Sequence, residues 1–185
     1  MKLVGIITLI VLIIVVLAAL ILLLYKHFSE KLNVINTKLS NTEIEYYDKI
    51  KEKYNLIIRL IKLVENKFKI ESKLFEDVKL IKQESLSSLK NDKLLNKCYK
   101  ELIQIKEDNQ KNRELKSFRE VIDDYEENEL VIISLRTYYN KYTLLFNEMI
   151  KKFPYNLIAK IKKYKLRTLL EGKELDINFN NDLEV

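Results

Sequence analysis

Residues 28 to 68 read FSEKLNVINTKLSNTEIEYYDKIKEKYNLIIRLIKLVENKF. In them Phe28, Leu32, Ile35, Leu39, Thr42, Tyr46, Ile50, Tyr54, Ile57, Ile61, Val64 and Phe68 follow one another at steps of three or four. That spacing places them on one face of an α-helix. Ser40-Asn41-Thr42-Glu43 has the form of a capping box, S-x-x-E, which would start a new helix. The apolar phase passes through it unbroken, so one long helix is expected.

Upstream, Leu3 to Leu24 holds 22 consecutive residues without a charge, 18 of them Leu, Ile or Val, with Thr8 the only polar side chain. As a helix this stretch is about 33 Å long, close to the hydrocarbon thickness of a bilayer. Each Leu, Ile or Val near the centre favours insertion by about 0.3 to 0.6 kcal/mol, so the sum favours the bilayer by several kcal/mol. A secretory signal peptide is the competing reading. It is disfavoured because the run exceeds the usual apolar core of about 7 to 15 residues and no A-x-A cleavage site follows. The segment is expected to be an uncleaved, single-pass anchor in the cell membrane. Lys26, Lys31 and Lys38 outweigh Lys2 in flanking charge, which points to a cytoplasmic C-terminal part.

Downstream the pattern stays helical. Leu74, Phe75, Val78 and Ile81 mark a second helix from about Ser72 to Leu89, weakening at Ser85-Leu86-Ser87-Ser88. Leu94, Leu95, Cys98, Tyr99, Leu102 and Ile105 mark a third, followed by a polar turn over 107–113. The fourth runs from Phe118 to Phe153, where Pro154 lacks the N–H to continue it. Two glycines and one proline in 185 residues are too few for the turns of a many-stranded sheet. The expected fold is all-α: an N-terminal transmembrane helix, residues 1–25, then an antiparallel bundle of about four long helices over 26–170, and an acidic, flexible tail over 171–185.

The C-terminal half carries a resemblance. Tyr139-Asn140, Asn147, Ile150, Phe153-Pro154, Asn156 and Ala159, with Glu129, Ile132 and Arg136 upstream, look like the signature of the LemA family, E-N-R-I-x-x-x-R followed by Y-N, Y-N and F-P-x-N-x-x-A. Tyr54 to Ile61 is similar to that family's R-x-D-L-I-P-N-L-V stretch. The departures are Ile58 where the family has proline, Glu52 and Lys53 at an arginine pair, Ile70-Glu71 at a His-Glu, and Lys162 and Tyr164 at an aromatic pair. The resemblance implies a four-helix bundle on a membrane anchor and no agreed enzymatic activity. Because some members are encoded beside membrane zinc metalloproteases, it also implies such an enzyme as a candidate partner.

No catalytic, cofactor-binding or metal site is expected. Phosphate loops need glycine, and Gly5 lies in the span while Gly172 lies in the tail. One histidine and one cysteine cannot make the usual zinc or haem sets. His27 reads as an interfacial polar residue and Cys98 as a small buried one. Asp123, Asp124, Glu126, Glu127 and Glu129 read as a solvated face, with weak cation binding as the alternative. Between Lys151 and Leu170 there are seven cations and no acid. The run suggests a basic helix, for which packing on the bundle competes with contact to anionic lipid by Lys160, Lys162, Lys163, Lys165 and Arg167. No nucleic-acid motif accompanies it. Two classes follow: an adaptor or scaffold for a membrane or envelope protein, or a self-associating, homo-oligomeric membrane-surface protein touching anionic lipid.

Overall fold

The computed structural model describes residues 2–82, 85–109 and 116–172. Every regular element among them is a helix: α1 Lys2–Phe68, α2 Lys73–Lys79, α3 Leu89–Asp108, α4 Lys116–Met149 and α5 Tyr155–Ile161. Three are long, while α2 and α5 have 7 residues each. The phase of the 28–68 stripe therefore does specify one helix. α1 runs through Ser40 to Glu43 without a break and also takes in the apolar run, 67 residues in all. It stops where Lys69 turns left-handed at φ 56°.

The chain divides into two compact units, residues 1–40 with 141–168, and residues 41–140 with 169–185. In the second, α1 and α4 run antiparallel, since Tyr46 meets Arg136, the Lys49 carbonyl accepts from Asn128, and Lys67 reaches Ser117. Leu56, Ile57, Leu60, Ile61 and Val64 of α1 form the core with Phe75 and Val78 of α2, Leu95, Cys98 and Leu102 of α3, and Phe118, Val121, Ile122 and Tyr125 of α4. α2 and α3 start on serine caps. Ser72 accepts from the Leu74 N–H and Ser88 from the Asn91 N–H, each meeting one of the open donors of a helix start. The helix expected from Ser72 to Leu89 is thus shorter, since α2 ends at Lys79, before the serine-rich stretch; Ser88 of that stretch caps α3, and Leu86 between the two helices is buried.

In the first unit Leu32, Ile35 and Leu39 of α1 are buried, as are Phe146 of α4 and Ile158 and Ala159 of α5. Two expectations need correction here. α4 ends at Met149, not Phe153, because Lys151 and Lys152 already bond three residues back, to the carbonyls of Glu148 and Met149. Pro154 is then the N-cap of α5, a place where a missing N–H is harmless.

The basic run is not one helix either. α5 closes at Ile161 through paired bonds, Lys163 N–H to the Lys160 carbonyl and Tyr164 N–H to the Ala159 carbonyl, with Lys163 left-handed at φ 57°. That is a Schellman ending, in which glycine is the usual occupant of the left-handed site. A side chain there carries a strain of roughly 1 kcal/mol. Lys163→Gly is therefore expected to raise stability by up to about 1 kcal/mol, read as a higher denaturation midpoint by circular dichroism. An unchanged or lower midpoint would contradict the assignment.

Candidate functional site

The deepest charges of the second unit meet around Lys53, a residue of α1 with no exposed surface. Its Nζ lies 2.8 Å from Asp92 Oδ1, 2.7 Å from Glu129 Oε2 and 2.8 Å from Asn96 Oδ1. Asp92 and Asn96 of α3 each accept one of its N–H donors, and Glu129 of α4 adds an ion-pair contact. The Tyr125 ring lies 5.8 Å from the same nitrogen. Two carboxylates around one cation would leave a negative excess. Arg136, 1% exposed, offsets it: Nη2 is 4.0 Å from Asp92 Oδ2 and donates to the Tyr46 hydroxyl at 3.1 Å. Two cations and two anions thus tie α1, α3 and α4 together.

Gly172 closes over Arg136. Its φ of 131° is open to glycine alone, and a Cβ there would stand 2.5 Å from Arg136 Cζ. The chain leading to it is extended and held by asparagines. In the second unit Asn140 donates from Nδ2 to the Leu170 carbonyl and accepts the Leu170 N–H on Oδ1, both at 2.8 Å. In the first unit Asn147 does the same for Arg167, at 2.8 and 2.9 Å. A primary amide presents a donor and an acceptor side by side, which matches one residue's backbone N–H and C=O as a neighbouring strand would.

These contacts give the signature residues their places. Glu129 and Arg136 belong to the charge cluster, Ile132 and Tyr139 are buried, and Asn140 and Asn147 hold the extended segment. Pro154 caps α5 and Ala159 packs beneath it, while Phe153 and Asn156 are exposed. Of the five cations assigned to lipid contact, Lys160, Lys162, Lys163 and Lys165 are exposed. Arg167 is half-buried and donates to Asn36 Oδ1 at 3.0 Å and Ser40 Oγ at 2.7 Å, so it belongs to the packing of the first unit.

The acidic group of α4 also divides. Asp123, Asp124, Glu126 and Glu127 face solvent, with Glu126 accepting from the Tyr99 hydroxyl, whereas Glu129 turns inward. No three His, Cys, Asp or Glu side chains converge as metal ligands would among the described residues. His27 is exposed, edge-on to Phe28. Cys98 is fully buried, and burial, followed by the Glu101 charge, pushes its thiol up to about 12. It is inert packing at neutral pH.

Lys53, Asp92 and Asn96 went unrecognised in the sequence. A signal existed: Lys53 stands at a step of three from Ile50 and four from Ile57, and Glu129 at four from Tyr125 and three from Ile132. Opposite charges lying within two apolar stripes point to a buried pair.

Fold and site together define an all-α protein with one long apolar-to-amphipathic helix, whose interior is tied by ion pairs and side-chain amide clamps. The chain belongs to the LemA family, whose model matches residues 40–180. No curated protein and no solved structure is found to match it.

Lys53→Met is expected to destabilise the protein by up to roughly 3 to 5 kcal/mol, because it leaves the buried Asp92 and the partly buried Glu129 without their cation. Adding Asp92→Asn and Glu129→Gln should restore much of the loss, and denaturant titration of the single and triple variants checks both outcomes. A second expectation concerns alkaline pH. Burial raises the Tyr99 and Tyr125 hydroxyls, as it does Cys98, helped by Glu126 at Tyr99 and Glu129 at Tyr125. The unfolded chain releases these protons from about pH 9 to 10 while the folded chain keeps them, so stability falls as pH rises through that range and continues to fall toward pH 12. Cys98→Ala should make the decline measurably shallower in denaturation midpoints collected from pH 8 to 11.

Proposed function

We propose that this chain is a single-pass membrane protein whose helical domain is a non-enzymatic adaptor or scaffold for a membrane or envelope protein, a membrane metalloprotease being one candidate. One observation carries the reading: the apolar run and the packed domain share α1. From Ile6 to Leu24 no side chain is covered by protein, with Ile6 at 55% and Leu22 at 67% exposure, and the run is long and apolar enough to cross a bilayer. The same helix then continues to Phe68 with one buried stripe. Apolar surface exposed on every side is unfavourable in water and favourable in hydrocarbon. Thr8, the polar residue of the run, satisfies its hydroxyl on the Gly5 carbonyl at 2.9 Å, as a bilayer core requires. The deep ionisable groups face one another, Lys53 with Asp92 and Glu129, which supports a positioning role for them over a catalytic one. Lys26, Lys31 and Lys38 after the span support a cytoplasmic domain.

Capture of the tagged full-length chain from detergent-solubilised native membranes tests the reading. A protein recovered in near-stoichiometric amount is the expected result. Recovery of only further copies of the chain would replace the adaptor by a self-associating structural protein. Deleting residues 1–25 should leave a soluble, helical domain, since the first buried side chain among the described residues is Ser29. Circular dichroism of the truncated chain without detergent measures it, and loss of the helical signal would make the anchor part of the fold.

A further inference from the structure

We propose that the corner between α4 and α5 lies in the headgroup layer of the anchoring bilayer, with Phe153, Leu157 and Ile161 inserted among the lipids and neighbouring lysines on anionic phosphates. The inference rests on the anchor reading above and concerns the first unit alone. Its starting point is height. Tyr155, the first residue of α5, packs edge-to-face on Phe28 with ring centroids 5.1 Å apart. Phe28 stands four residues beyond Leu24, about 6 Å along α1. The polar layer on each side of the hydrocarbon is about 5 to 8 Å deep, so the start of α5 is held at its level.

The surface found at that level suits an interface. Phe153, just before α5, and Leu157 and Ile161 within it are 78%, 54% and 65% exposed, whereas Ile158 and Ala159 form the packed side of that short helix. Three large apolar side chains within nine residues, all uncovered, have no partner in the described chain. Lys151, Lys160, Lys162 and Lys163 lie close to them in sequence and are exposed, and no acid occurs between Lys151 and Leu170. Lys152 is paired with Glu148 and is left out of the count. Tyr25, His27 and Phe28 add rings at the same height on α1. An apolar wedge flanked by lysines and aromatics, carried by a helix that crosses the membrane, matches an anionic bilayer surface. The contact differs from a basic helix over 155–170: its apolar members come first, and Arg167 takes no part because Asn36 and Ser40 hold it.

The chain contains no tryptophan, so Phe153→Trp places a single fluorophore at the wedge of the full-length protein. Leu144→Trp is the control, at an exposed site of the same unit. Phe146 packs on Tyr164, whose hydroxyl donates to Asn33, a residue five positions, about 7.5 Å, further along α1 than Phe28. Both variants are reconstituted in phosphatidylglycerol vesicles containing lipids brominated near the headgroup. Phe153→Trp should emit to the blue of the control and be quenched severalfold more. Phosphatidylcholine vesicles, or Lys151, Lys160, Lys162 and Lys163 changed to Gln, should reduce the quenching. Leu157→Trp repeats the measurement should Phe153→Trp fail to fold by circular dichroism. Quenching no stronger than the control, in protein that floats with the vesicles, would overturn the proposal while leaving the anchor intact. Protein that does not float would overturn both. Quenching indifferent to lipid charge would remove the lysine–phosphate half of it.

Discussion

A single helix has to satisfy two surroundings along its axis. α1 is uncovered and apolar on every side through Leu24, then presents one apolar stripe from Leu32 to Val64 against protein. Backbone hydrogen bonds are met internally throughout, so the helix can pass from one setting to the other without a break. The other elements depend on this continuity. α2, α3 and α4 pack on the stripe in the second unit, and α4 with α5 does so in the first.

Polar contacts then do what apolar packing cannot, which is to choose a register. Apolar stripes slide by a turn at modest cost, whereas Lys53 finds its acceptors and counter-charges only where Asp92, Asn96 and Glu129 meet it. A buried ion pair gives little net stability, but separating its members is expensive, so the correct alignment stands apart from its neighbours. The amide clamps act likewise on the chain after α5. Arg167 and Leu170 lack helical partners for their N–H and C=O groups, and Asn147 and Asn140 supply both.

Family membership and an N-terminal helix long and apolar enough to cross a membrane give the proposed function its frame. A domain built on the continuation of a membrane helix stays at the membrane surface whatever its own affinity for lipid, so even weak contacts there act at high local concentration. The proposal gives the exposed corner at Phe153, Leu157 and Ile161 a place in that setting. The charge cluster at Lys53 belongs to the interior and keeps the helices in place.

Hydrophobic periodicity settled the all-α class, the long first helix and most of its buried face, because a step of three or four identifies a helix face without reference to any partner. Leu32, Leu39, Tyr46, Ile50, Ile57, Ile61 and Val64 are all buried as the spacing indicates. The apolar run and the LemA signature were equally legible. Tertiary structure decided what depends on partners far apart in the chain. Lys53 lies within the apolar stripe of α1, but which groups neutralise it depends on Asp92 and Glu129, 39 and 76 residues later. The basic run reads as an amphipathic helix until Asn147 and Asn140 draw Arg167 and Leu170 into an extended path. Local spacing carries information about a residue's own helix, and a hydrogen bond or ion pair between distant segments exists only once folding brings them within about 3 Å.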